Sequence, residues 1–136
     1  MNQKKLFILI TIFFGIISII YSSDKKSSTA VGYKIDGNEI IFTYNPKDYG
    51  FSKKKIKSVT VANQINGWSP DAPNWQAFQS EDGIWIFSIK KQIVPSGTQF
   101  KFVVNGVHWQ QPKASKVPEK HLIDDGFGGF NLVLFY

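Results

Sequence analysis

The sequence predicts an all-β domain, an antiparallel sandwich of about seven short strands. Three observations point there. From residue 31 onward apolar residues recur with period two, and no apolar stripe follows the 3.6-residue period of a helix. Turn dipeptides punctuate those runs, at Asp36-Gly37, Asn66-Gly67, Asp82-Gly83 and Asn105-Gly106. Aromatic residues make up 15% of the chain, a composition that suits pleated, half-buried surfaces. A length of 136 residues suffices for one domain with one core.

Each element can be justified in chain order. "VGYKIDGNEIIFTYN" holds two apolar runs around Asp36-Gly37-Asn38, a hairpin signal, and Ile40, Phe42 and Tyr44 share one face of the second run. "PKDYGFSKKK" reads as a polar loop ending in a solvated lysine run, Lys53, Lys54, Lys55 and Lys57. Residues 56–62 form a strand with Lys57, Val59 and Val61 on one face. The turn-rich stretch 63–83 places Trp68 in a turn, while Trp75 is open to two roles, folding over the sandwich edge or joining a surface groove. In "IWIFSI", Trp85, Phe87 and Ile89 alternate with Ile84, Ile86 and Ser88, and Trp85 is expected in the core. "QFKFVVNG" puts Phe100, Phe102 and Val104 inward and Lys101 and Val103 outward, before the Asn105-Gly106 hairpin. "VHWQQP" is the returning strand, ended by Pro112. Residues 113–129 read as a long irregular connection, and "FNLVLFY" as the last strand. No helix is expected after residue 30.

Ahead of this domain lies a targeting segment. Lys4 and Lys5 precede a charge-free apolar run over residues 6–21, the order of a secretory signal. Ser22 or Ser23 would stand before the cut, but Ile20 or Tyr21 then fills the second position, where a small residue is needed. Residues 1–23 are therefore a signal peptide or an uncleaved membrane anchor, slightly short of the ~20 residues that span a bilayer. Both readings place the rest outside the cytoplasm, exported to the periplasm or cell surface, or anchored there. Residues 24–30 form a polar tether, and 31–136 the sandwich. The chain has no cysteine, which removes disulfides, thiolate metal sites and a lipidated anchor together.

The order of motifs carries more information than the strand count. "VTVANQINGWSPDA", "DGIW", "QFKFVVNGVHWQQP" and "IDDGFGGFNLVL" together resemble the family-48 carbohydrate-binding modules. These include the glycogen-binding domain of the AMP-activated protein kinase β-subunit and the N-terminal domains of isoamylase, branching and debranching enzymes. The resemblance covers about residues 40–136 and implies an immunoglobulin-like sandwich of the E-set type. It also implies a site for α-glucan, carried over residue by residue. Trp68 matches the tryptophan after the Asn-Gly turn, and Lys101 the lysine of the Tyr/Phe-Lys-Phe strand. Trp109 matches the tryptophan after the next turn, Asn131 the asparagine opening the last strand, and Phe127 the apolar loop residue four positions earlier. Departures occur at Asn63-Gln64-Ile65, where the family has Gly-Asp/Ser-Phe, at Asn105-Gly106 for Asp-Gly, and at Gln111-Pro112 for Asp-Pro.

The residue types suit a sugar on physical grounds. An indole covers the C–H patch of a pyranose face, and each Å² of apolar burial gains roughly 25 cal/mol. A lysine ammonium is a pure donor for sugar oxygens, and an asparagine amide both donates and accepts, as hydroxyls do. An open groove of this kind is expected to bind weakly, at about micromolar to millimolar Kd.

Other function classes find less support. The net charge of +6 is carried by lysine alone, with no arginine for bidentate phosphate or base contacts, so nucleic acid is not an expected partner. Asp124 and Asp125 are adjacent and would point to opposite sides of an extended chain, so they do not form an acid–base pair. His108 and His121 lack a metal-ligand spacing, and no nucleophile elbow or phosphate loop occurs. No catalysis, metal or cofactor is expected. The expected partner is an α-1,4-glucan such as glycogen, starch or maltodextrin. The alternative is an immunoglobulin-like interaction domain that binds a glycan-processing enzyme or an envelope protein, with membrane contact only through the N-terminal segment.

Overall fold

The computed structural model describes residues 30–52 and 55–136. The expected targeting segment, all of the expected tether but Ala30, and Lys53 and Lys54 lie outside the described residues.

Two antiparallel sheets pack face to face as an all-β sandwich. The first has the order β1-β2-β5-β4, from Tyr33–Asp36, Glu39–Tyr44, Trp85–Lys90 and Phe78–Gln79. The second has the order β3-β6-β9-β8, from Val59–Asn63, Gln99–Val104, Phe130–Val133 and Leu122–Asp124. Strand β7, His108–Trp109, pairs with the end of β6.

Period-two patterning sets both registers. Ile40, Phe42 and Tyr44 of β2 stand opposite Ile89, Phe87 and Trp85 of β5, so both apolar sets face the second sheet. There, Val59 and Val61 stand opposite Val104 and Phe102. The rings meet edge to face: Phe42 and Phe100 are 4.9 Å apart at 75°, and Phe100 and Phe102 5.7 Å apart at 81°. Fully burying one such ring contributes roughly 1.5–3 kcal/mol, so this aromatic cluster is the main stabilising element. Trp85 lies in this core, as its alternation predicts.

Trp75 also goes inward. The 3-10 turn Pro73–Trp75 folds its indole onto Phe87, at 5.4 Å between centroids. Gln76 clips that turn to the second sheet, donating from Nε2 to Thr60 Oγ1 at 2.7 Å. Sequence alone left this residue between two roles, and the turn that decides it has no period to read.

Four expectations need correction. "PKDY" is not loop but a helical turn, Pro46–Tyr49, capped by the Asn45 side chain and closed by Gly50 at φ 67°. The strand expected from residue 56 begins at Val59, because the Lys57 and Ser58 backbone N–H groups are held by the Asn105 side chain instead. The connection before the last strand contains β8, an edge strand paired with β9. Strand β9 itself ends at Val133, after which Tyr33 Oη holds the Phe135 backbone.

Candidate ligand groove

The second sheet has an outer face, and pairing decides what stands on it. Phe100, Phe102 and Val104 point into the core, so Gln99, Lys101 and Val103 point outward. Residues directly opposite share a face, which adds Ala62 beside Lys101 and Trp109 beside Val103. Asn131 joins them with Ile123 as its partner. Over this face lies a groove of about 520 Å³. Trp68, Lys101, Trp109, Phe127 and Asn131, the five residues expected from sequence, all line it.

Trp68 owes its display to a polar knot beneath it. The buried Asn63 side chain accepts from the Ile65 N–H at 2.8 Å and the Asn66 N–H at 3.3 Å, and its amide donates to Val61 O. Asn66 returns the bond, accepting from Asn63 N at 3.0 Å. The turn closes with Trp68 N donating to Asn63 O at 2.9 Å. Gly67 at φ 66° takes a left-handed conformation without strain, but Trp68 follows at φ 57°. A bulky residue there carries about 1 kcal/mol or more of backbone strain, which the Asn63–Asn66 knot must hold. The indole is left half-buried at the groove wall.

Trp109 lines the same groove and is 41% exposed. The hairpin before it turns through Asn105 at φ 55° and Gly106 at φ 70°. Asn105 is itself anchored, donating from Nδ2 to Lys55 O at 2.7 Å. Beyond Trp109, Gln110 turns inward and accepts from Tyr44 Oη at 2.8 Å, tying this strand end to the first sheet.

Lys101 departs from its expected role as a free donor. It sits on the outer face, yet it is only 5% exposed and forms an ion pair with Asp125. The other carboxylate oxygen, Oδ1, accepts from Phe127 N at 2.8 Å and Gly129 N at 3.0 Å. Asp124 Oδ1 accepts from Gly126 N at 2.7 Å, and Gln111 Oε1 from Phe130 N at 3.3 Å. A Cβ at Gly129 would collide with Gln111 Oε1, so the close approach requires glycine or displacement of that glutamine. Phe127, at the tip of this tied loop, is 94% exposed. The Lys101 hydrogen bond, seconded by the Phe127 N–H, holds the Asp125 carboxyl well below the usual carboxylate range.

Asn131 donates from Nδ2 to Gln99 Oε1 at 3.0 Å, across β6 and β9. Gln64 extends the β3–β6 ladder beyond Asn63 by accepting from Gln99 N at 2.9 Å. These amides give the groove both donors and acceptors beside its two indoles. Sequence reasoning missed Gln64, Gln99, Gln111, Asp124 and Asp125 as lining residues. Gln99 was within reach, standing two residues before Lys101 on the same face of the strand. Nothing local signals Gln64 or Gln111.

No family model matches the sequence. No curated protein matches it at a significant level either.

Proposed function

We propose that the domain is a non-catalytic carbohydrate-binding module for α-1,4-glucan, an immunoglobulin-like E-set sandwich exported or held at the membrane by its N-terminal segment. One observation carries the reading. Trp68, Lys101, Trp109, Phe127 and Asn131 come from a turn, two strands, a hairpin arm and a loop, yet line a single groove. Two indoles lining one groove suit the C–H faces of glucose units. Amides from Gln64, Gln99 and Asn131 suit the hydroxyls at the ring edges. An affinity of about −4 to −8 kcal/mol fits a site this open.

The test is retention on insoluble starch or glycogen, beside Trp68→Ala and Trp109→Ala variants checked for folding by near-UV circular dichroism. Retention of the unmodified protein and loss in both folded variants is expected. A folded protein that passes through both polysaccharides unretained would refute α-glucan binding and leave the exposed Phe127 tip as a protein contact.

A further inference from the structure

The groove contains a charged residue that no ligand argument requires. Asp125 joins three parts of the site with one side chain. Its Oδ2 pairs with Lys101 on β6, and its Oδ1 holds the Phe127 and Gly129 N–H groups. Its own N–H donates to Gly129 O at 3.0 Å, so the loop closes on itself around this carboxylate. Both members of the pair are nearly covered, with side chains 6% and 4% exposed. The Lys101 charge is therefore cancelled inside the protein before any ligand arrives. The remaining charged lining residue is Asp124, which faces an incoming anion with the wrong sign.

We infer that Asp125 is the positioning residue of the groove and its specificity determinant: it locks the Phe127 loop to Lys101 and restricts the site to uncharged glucan, excluding phosphate-bearing chains. The inference rests on the α-glucan reading for its ligand class. The loop lock does not. A bare lysine at the floor of a sugar groove would attract phosphate esters, whereas a lysine neutralised by a buried carboxylate would not. One uncompensated unit charge about 6 Å from a ligand phosphate changes affinity by about tenfold at an effective dielectric of about 40, between the protein-surface and bulk-water values.

The experiment uses the full chain in a detergent without a sugar headgroup. Binding of maltoheptaose and of singly phosphorylated maltoheptaose is measured by calorimetry for the wild type, Asp125→Asn and the double variant Lys101→Gln/Asp125→Asn. The wild type is expected to prefer the neutral ligand by about tenfold. Asp125→Asn should weaken maltoheptaose binding and bring the ratio of the two affinities to near one, because the ammonium is released. The double variant, with no free ammonium, should recover the neutral preference. Amide exchange over residues 126–129 should accelerate in Asp125→Asn.

A merely structural aspartate would weaken both ligands equally, and an unchanged ratio overturns the specificity claim. If the wild type binds neither ligand, the α-glucan reading fails, and unchanged exchange over residues 126–129 in Asp125→Asn overturns the positioning claim separately. Should Asp125→Asn fail to fold, Lys101→Gln reports in the opposite sense. Its unpaired carboxylate should sharpen the preference for the neutral ligand, and no change there counts against the inference.

Discussion

Strand β6 is shielded from water on both faces, and the two shields differ in kind. Inward, Phe100, Phe102 and Val104 are covered by the rings of the opposite sheet. Outward, Lys101 and Val103 are equally dry, but the cover over Lys101 is a loop tied by polar bonds. Apolar burial has no direction, so the inner face stabilises whatever the details of the outer face. Polar ties are directional, so the outer cover fixes where Trp68, Trp109 and Phe127 stand. The four tryptophans divide the same way. Trp75 and Trp85 serve the inner shield, and Trp68 and Trp109 the outer.

The contrast can be broken most forcefully from inside. Phe102→Ala should lower stability by about 3–5 kcal/mol in denaturant titration, since a 1% exposed ring at the sandwich centre leaves a cavity. On the outside, Trp109→Ala should move stability by less than about 1 kcal/mol. It should nevertheless weaken maltoheptaose binding about tenfold or more, the equivalent of burying roughly 60 Å² of apolar surface at 25 cal/mol per Å². An equally destabilised Trp109→Ala would erase the distinction between the faces.

A finer test uses the strained turn. Trp68→Gly and Trp68→Ala both remove the indole, but only glycine takes φ 57° freely. The glycine variant should be about 1 kcal/mol more stable than the alanine variant, with binding lost in both. Equal stabilities would show that the turn relaxes and holds no strain.

The smallest effect is on pH. Because the Asp125 carboxyl is depressed below its ordinary 3.8, its contribution is complete above that value and disappears as pH falls through the lowered one. The gap in Tm between wild type and Asp125→Asn should therefore stay constant from about pH 7 to 5 and narrow only below about pH 4. A gap that closed already near pH 6 would point to a different titrating group.

How much of this was readable in advance follows the same division. Inward alternation in β2, β5 and β6 is a property of contiguous residues, so Phe42, Trp85 and Phe102 could be placed from the sequence. The hairpins at Gly37 and Asn105-Gly106 were likewise local. Strand β8 was missed because three residues between polar neighbours make no period. The Pro46–Tyr49 turn was missed for the same reason, although its Asn45-Pro46 start and Gly50 end were legible cap signals. The candidate site was legible as five positions by resemblance, but not their chemistry. Lys101 looked like an outward donor because its partner, Asp125, lies in a loop 24 residues later, and no periodicity connects a strand to a distant loop. Trp75 depended on which sheet its turn would meet.

The most direct measurement is calorimetric titration of the full chain with maltoheptaose, set against Trp109→Ala of matched thermal stability. Saturable binding at about micromolar to millimolar Kd is expected, weakened about tenfold or more in the variant. The same affinity in both proteins, or no heat from a folded wild type, would contradict it.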